Sequence, residues 1–426
     1  MSGLAGWPGK TPIPDPKRSN ATEDSGLTVP SDASGTHETS MENKVLFNLR
    51  KFAVPEIVFG SGALELVGKH CANFGASKVL IVTDPGVREA GWTQRVKAVL
   101  AREGLSFTIF DELTPNPKDH EVMAGVEACL SRECDLILAV GGGSPMDCAK
   151  GISMAAGNER HVLEFQGVHQ VPLPGLPLIC VPTTAGTSAD VSQFAVITDT
   201  QRKIKVAIVS KMAIPEIALV DPDTTRTMSA EVTADSGMDA LSHAVEAYVS
   251  SVSSPLTDMA AREAVGLASR NIVGAYENRG QEYRENMMMA SLMAGLAFSN
   301  ASLGMVHAMA HTLGGFRDLS HGRCNALLLE GAVRFNARAH PGKYAELGRI
   351  MNQDRESSEE EAMQSLIQGL ASLRQSLEIT KGLGEMGVSE EEIPLLAELA
   401  ANEPCMATNP RSASIEDMKD LFRSIH

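Results

Sequence analysis

A chain of 426 residues, 43% of them hydrophobic, is long enough for two domains with sizeable cores. Its formal net charge of −16 argues against nucleic acid or an anionic membrane as the main partner, because both need a basic surface. The seven cysteines are scattered and odd in number, with no C-x-x-C, and read as reduced thiols of a cytoplasmic protein.

Residues 1–42 are rich in Ser, Thr, Pro, Gly and Asp and lack a continuous apolar run, so a flexible tail is expected there rather than a secretory signal. Residues 43–225 then alternate short apolar runs with helical patterns. Strands are expected at Lys78–Asp84, Ser106–Asp111, Asp135–Val140 and Leu178–Val181, with helical stretches between them, among them Lys118–Arg132. That rhythm predicts a parallel sheet covered by helices on both faces. A small antiparallel element is expected from Gln193–Ile197 and Lys205–Val209. After Asp221 the strand signal stops, and residues 226–426 carry helical period. The expected fold is an α/β dinucleotide-binding domain followed by an all-α metal-binding domain.

Two polar turns follow expected strands. In Gly141-Gly-Gly-Ser-Pro-Met-Asp147, the glycines let backbone N–H groups approach a pyrophosphate, and Pro145 suits the first turn of the helix that follows. A glycine triplet also occurs as a plain strand-to-helix turn, and this one is not G-x-G-x-x-G. The second turn, Pro182-Thr-Thr-Ala-Gly-Thr-Ser188, favours a dinucleotide at the strand ends. Asp84 ends the Lys78 strand, the first expected in the sheet, where a carboxylate would bond ribose hydroxyls and repel a 2′-phosphate, favouring NAD over NADP; a plain turn aspartate before Pro85 is the equal alternative.

In the helical part, Asp239 and His243 stand four apart and share a helix face. His307 and His311 repeat the spacing, and His321 follows. A carboxylate with neutral imidazoles suits a divalent first-row ion such as Fe(II) or Zn(II). Paired histidines in an apolar helix also occur as packed core residues, but a buried carboxylate beside them calls for a cation. From the residues alone, His311 is as good a ligand as His307. No charged residue occurs between Glu285 and Arg317. Asn286, Ser291, Ser299, Asn300, His307 and His311 interrupt that stretch, which reads as a buried helix pair lining a site rather than a bilayer span.

The segments Thr83–Gly86, Pro115–Pro117, Gly141–Asp147, Pro182–Thr187, Gly237–His243 and Gly304–Gly315 occur in an order and spacing that resemble the iron-containing (group III) alcohol dehydrogenases, from about Phe47 to the C-terminus. The resemblance implies the two-part architecture shared with dehydroquinate synthase. It implies metal ligands at Asp239, His243, His307 and His321, and a catalytic, non-ligand role for His311 beside the nicotinamide and substrate. It also implies cofactor contacts from Asp84, Asn116, Gly142, Gly143, Ser144, Asp147, Thr183, Thr184 and Lys205. The chain departs from the family pattern at Thr312 and Ser320, where proline is common, and at Ser188-Ala-Asp190.

The expected activity is reversible, NAD-linked oxidation of a primary or small alcohol with Fe(2+), or Zn(2+), polarising the alcohol oxygen. The alternatives are a related polyol dehydrogenase and a regulatory protein of low turnover on the same scaffold. A dehydroquinate-synthase-like lyase would need basic residues for an anionic substrate, which the uncharged stretch does not offer. The expected partners are the alcohol or aldehyde and further copies of the chain, as a homodimer or larger homo-oligomer.

Overall fold

Runs of Val, Ile and Leu buried on both faces build the first half of the molecule. In chain order these elements are β1 (Glu56–Phe59), α1 (Val67–Asn73), β2 (Lys78–Val82), α2 (Pro85–Glu89), α3 (Trp92–Arg102), β3 (Ser106–Phe110), α4 (Asp119–Ser131), β4 (Leu136–Gly141), α5 (Gly143–Asn158), β5 (Gly167–Val168), β6 (Leu178–Pro182), β7 (Phe194–Asp199), β8 (Ile204–Val209) and β9 (Ile217–Val220). The structure is a computed structural model describing residues 51–426; the expected tail at 1–42 lies outside the described residues.

Six strands form one parallel sheet in the order β1-β9-β6-β4-β2-β3. Alternate side chains feed two separate cores: Leu80, Val82, Ile137 and Ala139 enter one, Val79, Ile81, Leu136 and Leu138 the other. That is why these strands read as continuous apolar runs. The expected strands lie within two residues of β2, β3, β4 and β6. The Lys78 strand is second in the chain rather than first, because β1 precedes it and pairs with β9. β7 and β8 pair antiparallel as expected, with Thr198 opposite Lys205, and β5 joins them in a three-stranded sheet. The chain moves from β2 out to β3 and returns to β4 on the other side of β2, a switch in direction that opens a crevice at the strand ends.

The second half is helical: α6 (Ala230–Val249), α7 (Pro255–Tyr276), α8 (Gln281–Ala301), α9 (Met305–Arg317), α10 (His321–Asn336), α11 (Pro341–Asn352), α12 (Glu359–Ser376), α13 (Ile393–Ala401) and α14 (Ile415–Ser424). α6 is its axis, buried at every residue from Thr233 to Val249. Small residues on α6, α7 and α8, among them Ala240, Ala244, Ala261, Ala264, Ala290 and Ala294, let these helices approach closely.

The uncharged stretch forms α8 and α9, bent by 99° across Ser302–Gly304; among the described residues no single helix is long and apolar enough to cross a bilayer. Ser302 takes a left-handed backbone, φ 59°, at the bend. Position 304 needs glycine, since a Cβ there would lie 2.7 Å from Asn409 Oδ1 and 3.0 Å from Glu246 Oε1. The described residues form one compact unit, in which the sheet half and the helical half share a cleft.

Candidate functional site

A stripe of polar residues on one face of α6 organises the site. Asp235, Asp239, His243 and Glu246 recur at helical spacing and are all buried. Asp239 Oδ1 lies 3.8 Å from His243 Nε2, 3.7 Å from His307 Nε2 and 3.7 Å from His321 Nε2. One donor atom from each of the four residues lies within 4.8 Å of the others. Two ligands of a tetrahedral ion with bonds of about 2.1 Å stand roughly 3.4 Å apart, close to this spacing.

The donor chemistry fits a divalent cation. Asp239 is 2% exposed, and the basic groups within 4 Å of it among the described residues are all imidazoles. Burial alone would raise its carboxyl pKa, but His243, His321 and His307 hold it far below the usual carboxylate range. Burial lowers His243 to about 4 against the pull of Asp239, and lowers His321 well below its usual value. Both imidazoles are neutral at ordinary pH, the form in which histidine can bind a metal. Burial would also lower His307, yet bonding to Asp239 and Glu246 raises it to about 9. A proton on His307 therefore competes with a metal ion for the same carboxylate-rich place.

The outer partners of these ligands are well defined. Glu246, 4% exposed, has one oxygen 2.6 Å from His307 Nδ1, and its other oxygen accepts from the Val306 N–H, also at 2.6 Å. One carboxylate thus orients the His307 ring and caps α9, as the carboxylate of a carboxylate–imidazole–metal arrangement would. His243 Nδ1 faces the Gly186 carbonyl at 3.3 Å, and its ring stacks between Phe298 at 4.2 Å and His307 at 4.5 Å. Asn325, one turn beyond His321, donates from Nδ2 to Asp239 Oδ1 at 2.7 Å. Ser320 Oγ donates to Asp235 at 2.7 Å, and Arg323 pairs with the same carboxylate, pinning the start of α10.

His311 is absent from the four-residue cluster. Its Nδ1 lies 2.8 Å from Glu403 Oε1, beyond α13, and its ring stacks on His321 at 5.1 Å. Glu403 Oε2 also accepts from the Cys405 N–H at 2.6 Å. Thr312 bonds back to the Ala308 carbonyl at 3.0 Å, so α9 continues through it without a break.

The cleft measures about 450 Å³. Asn116, Gly143, Ser144, Asp147 and Lys205 line it together with Asp239, His243, His307, His311 and His321. Phe194, Val252, Phe298 and Leu303 add apolar wall. Burial raises the Asp147 carboxyl to about 6, opposed by Lys150, and its Oδ2 accepts from the Val196 N–H at 3.2 Å. Gly142, Thr183 and Thr184 stand beside the cleft. The Thr183 N–H donates to the Gly141 carbonyl at 2.8 Å, and a Cβ at Gly142 would meet the Thr184 side chain at 3.1 Å, so the bare glycine turn makes room for the threonine side chains of the second turn. Asp84 lies farther along the strand ends, where Oδ1 caps α2 through the Val87 N–H at 2.9 Å.

Sequence reasoning passed over Glu246, Glu403, Asn325 and Thr187, the last also lining the cleft. A signal existed for Glu246: an acidic residue three positions after His243 in the otherwise apolar Ala244-Val-Glu-Ala-Tyr248.

Comparison with known proteins matches residues 55–222 to "Iron-containing alcohol dehydrogenase" and residues 233–426 to "Fe-containing alcohol dehydrogenase family, C-terminal". The 1,3-propanediol dehydrogenase of Citrobacter freundii is 39% identical over 382 residues, 88% of this chain and 99% of that protein. The NAD-dependent methanol dehydrogenase of Bacillus methanolicus is 36% identical over 375 residues, 88% of this chain and 98% of that protein. A crystal structure of 1,3-propanediol oxidoreductase superposes with a TM-score of 0.87 at 38% identity, covering 89% of this chain and 100% of that one.

Loss of a donor should cost the metal. His243→Ala and His321→Ala are expected to purify with far less than one ion per chain; full occupancy of both by elemental analysis would remove them from the ligand set. Glu246→Gln retains an oxygen for the α9 N–H groups but turns an amide N–H toward His307 Nδ1, which favours the tautomer that cannot ligate through Nε2. Its metal affinity should fall about 10–100-fold, measured as the equilibrium against a competing chelator.

Proposed function

Because the chain belongs to the iron-containing alcohol dehydrogenase family, we propose that its cleft oxidises small primary alcohols with NAD at a ferrous site formed by Asp239, His243, His307 and His321. The observation that carries this reading is the closeness of those four donors to one another, in the cleft that Gly143, Ser144 and Lys205 also line. Fe(II) is preferred to Zn(II) on the family's chemistry, since the donor set accommodates either.

The ion supplies Lewis acidity toward the alcohol oxygen, and NAD supplies the hydride acceptor. The protein's own residues do the rest. Asn116, Gly142, Gly143, Ser144, Asp147, Thr183, Thr184 and Lys205 hold the dinucleotide along the strand ends, with the α5 N-terminus favouring its phosphates. Asp84 meets the adenine-side ribose. His311, its Nδ1 committed to Glu403, has Nε2 left to pass the hydroxyl proton on toward solvent. Phe194, Val252, Phe298 and Leu303 shape an apolar place for a short carbon chain.

The seven cysteines are all free and buried, which supports a cytoplasmic home. A homodimer or larger assembly fits β1: among the described residues no strand pairs with its outer edge, and Phe52, Val54 and Phe59 are exposed nearby.

The direct test is a panel of alcohols assayed with NAD after anaerobic loading with Fe(II). Turnover of short primary alcohols in proportion to bound iron is expected; iron-loaded protein inactive on the whole panel would favour a regulatory role for the scaffold.

For the cofactor, Asp84→Gly should narrow the preference for NAD over NADP, and glycine costs little at an N-cap. Wild-type protein that already prefers NADP would contradict the role given to Asp84. For the proton path, His311→Ala should keep its metal and lose turnover on the order of 10²-fold. An apo His311→Ala protein that still folds would make His311 a ligand instead.

A further inference from the structure

Two left-handed residues face each other across the cleft between the halves of the molecule. Asn116, φ 56°, lies in the Pro115–Pro117 turn after β3; Asp318, φ 54°, ends α9. Asn and Asp adopt this backbone at less cost than other side chains. Asn116 Nδ2 donates to Asp318 Oδ1 at 2.5 Å, and Lys118 Nζ is 3.8 Å from Asp318 Oδ2.

Each side of this contact is tied to a different part of the site. The Asn116 N–H donates to Ser144 Oγ at 3.2 Å, and its carbonyl accepts from Thr198 Oγ1 at 3.4 Å. The Pro115–Pro117 turn is thus fastened to the glycine turn and to the strand opposite Lys205. On the other side, Asp318 comes two residues before Ser320, which is held by Asp235, and three before His321. Asp318 therefore joins the loop that leads to His321, at the start of α10, to the turn that would border the dinucleotide.

We propose that Asp318 is a positioning residue, a latch that holds the helical half against the Pro115–Pro117 turn over bound NAD, and that dinucleotide release requires it to open. The inference rests on the reading that NAD occupies this end of the cleft. The Asp318 side chain is 63% exposed, so water competes for its bonds and the contact is weak enough to break at each turnover. A fully buried pair in its place would trap the product.

The test uses metal-loaded full-length protein and measures NADH dissociation by stopped-flow fluorescence with excess NAD as trap. Asp318→Ala should speed dissociation about fivefold, the scale of one hydrogen bond in a solvent-accessible place. KM for NAD should rise while metal content, melting temperature and KM for the alcohol stay at wild-type values. Asp318→Asn keeps an acceptor oxygen and should release NADH at nearly the wild-type rate. Because release is hastened, kcat of Asp318→Ala should be unchanged or higher, whereas general structural damage would lower it. Unchanged NADH dissociation in Asp318→Ala, or a fall in kcat without faster release, overturns the latch. Failure of the wild-type protein to bind NADH at all would instead overturn the reading of the cleft on which the latch rests.

Discussion

A buried carboxylate without an Arg or Lys beside it sets the terms for this molecule. Asp239 lies at the centre of a helix that is buried all round, where an unpaired negative charge costs several kcal/mol. Three imidazoles answer it: His243 stands one turn along α6 itself, whereas those of α9 and α10 have to be brought there by tertiary structure. α9 arrives because Glu246 caps it and because Gly304 lets that carboxylate approach. α10 arrives because Asp235 grips Ser320 and Arg323 at its start. The α6 stripe therefore sets the position of both neighbouring helices as well as of the donors.

The sheet half contributes by a different route. Its core alternates between two faces, and no charged side chain is buried in the middle of the six parallel strands. What matters is where they stop. β4 and β6 end side by side, so the side chains of Thr184 and Thr187 pack onto the glycine turn, and the Gly186 carbonyl reaches His243. The turns at the strand ends and the donor cluster are thus joined through one backbone carbonyl. The proposed hydride transfer needs the two halves held close, because productive transfer requires reacting atoms within about 3–3.5 Å.

Much of this was readable in the residues. β2, β3, β4 and β6 stood out because strands buried on both faces leave unbroken apolar runs, and Asp239 and His243 stood out because helical spacing puts them on one face. β9 and β1 did not: each has four residues, too short for a period, and their pairing joins segments about 160 residues apart. The 99° bend between α8 and α9 was hidden for the same reason, since a hydropathy pattern shows a buried pair but not its angle. Glu246 is marked only by its apolar neighbours, and Glu403 looks like an ordinary acidic residue in the chain. Their partners are 61 and 92 positions away, and only packing shows that each holds an imidazole. The same holds for Asn116 and Asp318, separated by 202 positions. Choosing between His307 and His311 as ligand from spacing alone had no basis, because the two stand one turn apart on α9 and only packing shows that His307 meets Asp239 and Glu246 whereas His311 meets Glu403.

The phase of α6 also limits how such a chain can change over evolutionary time. A helix advances about 100° per residue, so one residue gained or lost between Asp235 and Glu246 would swing half of the stripe away from α9 and α10. Substitutions elsewhere on α6 trade one small apolar side chain for another and leave the phase intact. Drift in this helix is therefore expected as changes of residue and not of length. Insertions and deletions should instead collect in connections that carry none of these contacts, such as the turn around Asn278–Gly280 between α7 and α8.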